Sequence, residues 1–345
     1  MGIVQNQSFK NTITTYIGFG IGAINTLFLY TEFMSEQYYG LITYILSTAY
    51  VMMPLLAFGA HNSLVKFYSS YKSRNNVNSF LTWMLLLPLL MIIPLGLVGY
   101  VAFEVISNFL SETNTIIKDY VWLIYVAAIA FSYFEVFYSW TKVHMNSVFG
   151  NFMKEVFHRA GVMILLFCLY FQVIAIETFV YAVVGVYILR MLTMKFYAFY
   201  VRRPIFRFGK LPNLKAVLKY SALIIIAGSV ANIILEIDKF MIGQYIEIEK
   251  VAYYGVAIYI ATVIGVPARS MHQITNPLTA KLLNEGENNK LKVLYKKSSL
   301  NLFIISGFIF LIIILNINQL YLLIDDKYTG GLVVVLLISV AKLSD

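Results

Sequence analysis

The sequence predicts an all-α polytopic membrane protein of about ten transmembrane helices, and three observations carry that prediction. Sixty per cent of the 345 residues are hydrophobic and only 12% are charged, whereas a water-facing surface ordinarily needs about a quarter. The polar residues fall in bursts between apolar runs of about 20 residues, the length that crosses a bilayer. The bursts also alternate in sign along the chain. With a mean hydropathy of +0.76, most of the chain has lipid rather than water as its solvent.

Ten stretches qualify or nearly do: 12–31, 40–60, 80–103, 120–140, 157–176, 178–199, 216–237, 251–271, 298–317 and 329–344. Their continuity excludes soluble strands, and an outer-membrane barrel would instead alternate over segments of about ten residues. The first run has no small-residue cleavage site behind it and ends in Tyr30-Thr31-Glu32. It therefore reads as a first membrane helix that also targets the chain, not as a removable signal. Within it, Gly18 and Gly22 form a GxxxG, which points to close helix packing. Pro54, Pro88, Pro94 and Pro267 fall inside spans, where each removes a backbone hydrogen bond and permits a bend.

The linkers set the orientation. Lys66, Lys72 and Arg74 follow the second helix, and Lys142, Lys154 and Arg159 follow the fourth. Arg202, Arg203, Arg207, Lys210 and Lys215 follow the sixth; Lys281, Lys290, Lys292, Lys296 and Lys297 follow the eighth. The intervening linkers are acidic, with Glu32 and Glu36, then Glu104, Glu112 and Asp119, then Glu177, then Asp238, Glu247 and Glu249, then Asp325 and Asp326. The positive-inside rule makes the basic side cytoplasmic and places the N-terminus inside. The net charge of +9 is therefore a topology signal, not a nucleic-acid surface, since no RNA-binding motif of interleaved aromatics accompanies it.

An internal repeat emerges once the helices are marked. Tyr38-Tyr39-Gly40-Leu41-Ile42-Thr43-Tyr44-Ile45 opens the second helix, and Tyr253-Tyr254-Gly255-Val256-Ala257-Ile258-Tyr259-Ile260 opens the eighth. Pro54 and Pro267 follow the two glycines at similar distances, and Asn25 and Asn232 sit in the preceding helices. Six helices separate the copies, so both run in the same direction, as in transporters built from parallel repeats. The expected organisation is an N-terminal lobe of six helices over 1–209 and a C-terminal lobe of four over 210–345.

Enzyme signatures are absent: there is no HExxH and no GxxxxGK[ST] loop to bind a catalytic metal or nucleotide phosphates. His61, His144, His158 and His272 fall near the basic helix ends, where polar anchoring at the interface is their expected role. Cys168 lies within an apolar run, away from the electropositive setting of a reactive thiolate. No metal or other cofactor is expected, apart from a coupling Na⁺ or H⁺.

Polar groups at membrane depth are costly and call for partners. Arg190 lies near the middle of the sixth span and Glu135 slightly nearer the basic side in the fourth, so they either pair directly or both line a wet cavity. In the cavity reading, the permanently charged planar fork of Arg190 draws in an anionic headgroup. Asn25 and Asn232, at matching depths, serve either as cavity lining or as glue between helices. Lys66 and Arg269, at the basic ends of the second and eighth helices, complete the cavity candidates. Glu236 and Asp238, near the outer end of the seventh helix, either bind a coupling ion or face water beside Lys239.

Across essentially its whole length the chain resembles the Wzx-type polysaccharide-biosynthesis flippases of the MATE-like multidrug/oligosaccharidyl-lipid/polysaccharide exporter superfamily. The matching pieces are Glu36-Gln37-Tyr38-Tyr39-Gly40, Phe58-Gly59-Ala60, Asp238-Lys239-Phe240-Met241-Ile242-Gly243, Tyr254-Gly255-Val256, Pro267 and Asn276-Pro277-Leu278. The resemblance implies a two-lobed bundle of 12–14 helices, seen here through the tenth. It further implies carriage of an undecaprenyl-pyrophosphate-linked oligosaccharide across the bacterial inner membrane by alternating access, for lipopolysaccharide O-antigen or another surface polysaccharide. Membrane lipids and the polysaccharide polymerase or export machinery are the expected partners. Two other readings stay open, a MATE-type cation-coupled multidrug exporter and a membrane O-antigen polymerase or ligase. Acidic residues in the cavity would favour the exporter, and a large external loop the enzyme.

Overall fold

The computed structural model of the chain describes residues 2–209, 211–284 and 286–344, and within these it leaves out the side chains of 2–6, 8, 227–229, 231–232, 235, 270, 273–274, 276–277, 280–281, 284 and 326. The described residues are helical with short connections, in ten successive rods that follow the ten predicted runs. The first rod, α1, spans 2–33 and carries a π-turn at Asn25–Leu29. It is followed by α2 (Glu36–Ala57), α3 (74–101, broken at Pro88), α4 (Val121–Val143) and α5 (148–170, with a π-turn at Met153–Phe157). Then come α6 (Ile176–Val201), α7 (Leu214–Tyr245), α8 (249–284, with a 3₁₀ turn at Val263–Gly265), α9 (Asn288–Ile324) and α10 (Leu332–Ser344).

Eight helices among the described residues are long and apolar enough to cross a membrane. Of the ten predicted runs, α5 falls short because Lys154, Glu155 and Arg159 lie within any 18-residue stretch of it, and α7 has several side chains outside the described set. Two predicted boundaries stop short at charges. The run expected over 216–237 continues to Tyr245, and the run expected from 157 begins at Val148. Both extensions carry charged side chains that pair within the protein, so a hydropathy window ends where the helix does not.

The prolines act where their missing donors predict. The 3₁₀ turn at Val263–Gly265 immediately precedes Pro267, whose ring cannot satisfy the carbonyl four residues back. Beyond Pro54, α2 ends in two left-handed residues, Phe58 (φ 46°) and Gly59 (φ 62°), before a short helix resumes over Ala60–Phe67. Gly59 has no room for a side chain, since a Cβ there would lie 2.7 Å from the Ser221 carbonyl oxygen of α7.

Linkers of like charge gather at the same end. At the basic end, Arg202 donates to Tyr68 (3.0 Å) and Asn78 (3.0 Å), and Tyr68 in turn bonds His144 (3.1 Å). That cluster ties together the linkers after α2, α4 and α6. At the acidic end, Lys327 bridges Glu36 (2.7 Å) and Asp325 (3.0 Å), and Tyr38 reaches Glu177 (3.4 Å). The two repeat helices α2 and α8 both start at this acidic end and pack on each other. There Gly40 lies so close to the Ile248 carbonyl that a Cβ would sit 2.0 Å from its oxygen. The expected lobe boundary at 209/210 falls in the extended segment between α6 and α7.

Candidate functional site

Two adjoining chambers open between the N-terminal helices and α7–α8, sharing Tyr50, His158, Arg159 and Glu236 in their walls. The chamber nearer the acidic end holds about 930 Å³ of empty space and is lined by Asn25, Tyr30, Tyr39, Tyr187, Lys239 and Tyr259, among others. The one nearer the basic end holds about 1140 Å³ and is lined by His61, Glu135, Lys154, Glu155, Arg190 and Arg269. Lining groups of both kinds, aromatic and charged, sit at membrane depth.

Local backbone irregularities aim these groups. The π-turn of α5 projects Lys154, Glu155, His158 and Arg159 inward from the first turns of a helix whose later residues are apolar. It packs on α1 at Gly18, where a Cβ would fall 2.4 Å from the Glu155 carbonyl oxygen, while at Gly22 a Cβ would fall 2.5 Å from the Tyr259 hydroxyl of α8 and 3.1 Å from Cδ of Arg159. The GxxxG of the first helix thus performs the close packing expected of it, against the wall of the cavity. The π-turn of α1 begins at Asn25, whose amide donates to the Arg159 carbonyl at 2.8 Å. Two π-turns therefore meet at the boundary of the chambers, and such turns recur at functional positions.

The charges are unevenly matched. Glu135 pairs with Lys154 (2.7 Å), Glu155 with Arg159 (3.1 Å) and Glu236 with Lys239 (2.6 Å). Five cations line the two chambers against these three carboxylates, leaving Arg190 and Arg269 with no carboxylate partner among the described residues. Arg190 is only 3% exposed. Its guanidinium carbon lies 4.2 Å from the ring centre of Phe134, 4.9 Å from that of Tyr187 and 5.6 Å from that of Phe131. Ring faces attract the cation, but they accept no conventional hydrogen bond, and its Nε has none.

The predicted site residues divide accordingly. Arg190, Glu135, Asn25, Glu236 and Arg269 are brought together around the cavity. The direct Arg190–Glu135 pair is not formed; Lys154, one helix over, takes Glu135 instead. Lys66 is corrected outright. It is exposed, sits 3.8 Å over the Tyr220 ring and lines neither chamber, because it lies on another face of the short helix that brings His61 to the basic-end chamber. Glu236 lies nine residues short of the end of α7, about 13 Å down the helix at 1.5 Å per residue, so it is not near the outer end. Asp238 is exposed, accepts a hydrogen bond from Tyr254 (2.6 Å) and lines neither chamber. The side chain of Asn232 lies outside the described residues.

The histidine expectation needs the same division. His144 remains at the basic end, but His61 and His158 line the chamber that holds Arg190. Lys154, Glu155, His158 and Arg159 were the residues the sequence reading missed as a site, two of them having been read as linker charges. Their i,i+4 spacing, 154 with 158 and 155 with 159, marks one face of a helix and was the available signal. Among the described residues, no group of three His, Cys, Asp or Glu is placed to hold a metal ion.

Comparison with known proteins accords with this architecture. A family model described as polysaccharide biosynthesis protein matches residues 5–283. The chain belongs to the polysaccharide biosynthesis protein family. No curated protein matches the sequence. Among solved structures, the chain is similar to a multidrug resistance MATE family transporter of the MOP superfamily in an inward-facing conformation, with a TM-score of 0.62 and 13% identity over 96% of this chain and 78% of that one. It is also similar to MATE in complex with MaL6, with a TM-score of 0.61 and 14% identity over 99% of this chain and 78% of the other. These likenesses show a MATE-like fold. For this family member the cavity between α1–α6 and α7–α8 is the candidate transport site.

Proposed function

We propose that this multi-pass membrane protein flips a lipid-linked oligosaccharide, carried on undecaprenyl pyrophosphate, from the cytoplasmic to the outer face of the bacterial inner membrane for surface polysaccharide synthesis. The observation that carries the reading is Arg190, a buried cation with no carboxylate partner and an unmet Nε among the described residues, in a cavity whose described lining has two more cations than carboxylates. An unpaired charge at that depth is tolerated best where an anion of opposite sign visits it, and a pyrophosphate supplies several acceptor oxygens to the guanidinium fork. Family membership favours a glycan over other anionic lipids.

The MATE-like fold alone also suits a cationic drug exporter. A free carboxylate would favour a drug cation, and among the described residues each carboxylate of the cavity is engaged by a lysine or arginine within 3.1 Å. In the flippase reading, the basic end faces the cytoplasm and receives the cargo, while the polyprenyl tail stays in lipid. Coupling to H⁺ or Na⁺ belongs at Glu236, which borders both chambers and is held by Lys239 at 2.6 Å. Polymerase and export machinery would take the cargo at the outer face.

The test is a deletion strain with no redundant carrier. Lipid-linked repeat units should accumulate on the cytoplasmic leaflet, and reintroducing the gene should restore surface polysaccharide. Unchanged surface polysaccharide after deletion would refute the proposal.

A further inference from the structure

The connection between α6 and α7 is built unlike a water-exposed linker. It reads Arg202-Arg203-Pro204-Ile205-Phe206-Arg207-Phe208-Gly209, cations interleaved with large apolar residues, and it forms no helix. Its backbone is clasped to α3 instead. The buried Thr82 hydroxyl meets the Ile205 carbonyl at 3.2 Å and accepts from the Arg207 amide at 3.1 Å, one bond on each side of Phe206. The Arg207 guanidinium donates to Asn75 (2.8 Å), and a Cβ on Gly209 would fall 2.8 Å from Ser79 Oγ. The strap therefore runs along α3 between Asn75, one residue past the helix start, and Thr82, eight residues past it, which is about 12 Å at 1.5 Å per residue. The apolar run of α3 begins between them, at Phe80. The strap thus spans the level at which headgroups give way to hydrocarbon. At that level its side chains stand uncovered: Phe206 is 62% exposed, Phe208 73%, and Tyr200 at the end of α6 86%.

We propose that this strap is a binding surface for anionic phospholipid in the leaflet at the basic end, with Phe206 and Phe208 among the upper acyl carbons and Arg203 and Arg207 on headgroup phosphates. Aromatic rings favour that boundary, and an arginine stem lies along apolar surface while its guanidinium stays with the headgroups. In water the same cluster would be an exposed apolar patch; lipid covers it. Charge selects which lipid. The strap carries three arginines and no carboxylate, and an anionic surface attracts cations beside a membrane helix. Arg202 is occupied by Tyr68 and Asn78, whereas Arg203 and Arg207 are exposed. The inference is independent of the cargo that the cavity carries.

The experiment places the full chain in nanodiscs of phosphatidylcholine with a minor share of phosphatidylglycerol, and puts bromine on the acyl chains of one lipid or the other. Phe206→Trp and Phe208→Trp each add a fluorophore at an exposed position, read as the difference from wild type. Brominated chains should quench both, and phosphatidylglycerol should be enriched beside them over its share of the bilayer. Replacing Arg203→Gln and Arg207→Gln together should lower that enrichment at least about 5-fold, since each basic residue at an anionic surface contributes roughly 1 kcal/mol. Brominated phosphatidylcholine should still quench in that variant, which shows the strap still seated. Quenching by neither lipid at both positions, as for a strap in water or one covered by a second copy of the chain, would overturn the proposal. Quenching in plain proportion to the bilayer composition, or enrichment that survives loss of both arginines, would overturn it as well.

Discussion

Replacing Arg190 tests the electrostatic reasoning most directly. The guanidinium stacks on Phe134 and Tyr187 and lines the cavity with its Nε unmet. A hydrogen bond to a charged group contributes about 1.5–3 kcal/mol, which is about 10- to 150-fold in affinity at roughly 1.4 kcal/mol per tenfold. Arg190→Ala is therefore expected to weaken pyrophosphate binding by that factor and to reduce transport at least tenfold. Folding should respond less. The lost stacking, about 0.5–2 kcal/mol, is offset by relief from burying an unpaired cation. Arg190→Lys keeps the charge but not the planar fork, so it should fall between wild type and Ala. The assay is flipping of a labelled polyprenyl pyrophosphate in proteoliposomes, alongside size-exclusion and thermal-melt profiles. Transport of Arg190→Ala within twofold of wild type, at normal insertion, would refute the argument that an orphan buried cation implies an anionic cargo.

Four further outcomes follow from the packing and the charge pairs. Gly40→Ala should lower the melting temperature, whereas Gly255→Ala should leave it within a degree or two. The added methyl meets the Ile248 carbonyl in the first case, an overpacking that costs about 1–3 kcal/mol; in the second its nearest neighbour is 3.7 Å away. Asn114→Ala removes bonds to the Gly243 and Ile246 carbonyls and to the Ile248 amide, about 1 kcal/mol each. Amide exchange in 243–248 should quicken, and unchanged protection would show that these bonds do not hold the end of α7 in place. Glu135→Gln should destabilise by leaving Lys154 without its carboxylate, and adding Lys154→Met should recover part of the loss in a double-mutant cycle. Finally, burial holds the His144 imidazole below its ordinary value, reinforced by Arg202 and opposed by its bond to the Trp140 carbonyl. The folded state thus binds the proton less readily than the unfolded one. This contribution to stability is complete above the unfolded value of about 6.5 and is lost as pH falls from there toward the depressed folded value. Melting temperatures between pH 5 and 8 should show that slope, and His144→Asn should flatten it.

Much of the fold was legible because the bilayer imposes length and sign. Apolar runs of about 20 residues, with basic and acidic linkers in strict alternation, yielded ten rods in the right order, and the Tyr-Tyr-Gly repeat located the two helices that pack across the centre. The method failed where charge and membrane depth coincide. Lys154 and Arg159 read as linker residues, and α7 was stopped at Glu236 and Asp238, because a hydropathy window scores each charge alone and cannot see its partner. Lys66 was placed in the cavity on position along the chain, without allowance for the face it takes on a short helix whose His61 is the residue that reaches the cavity.

What the sequence by itself determined is the multi-pass membrane class, the order of the helical rods and the family, since these depend on composition and local order. Only the tertiary structure decided which charges cancel. Whether Glu135 meets Arg190 or Lys154, and whether the Asn25 amide ties α1 to α5, turns on a few ångströms between segments more than a hundred residues apart in some cases. Electrostatic and hydrogen-bond energies change steeply over that range, so the chemistry of the cavity exists only once the helices are assembled.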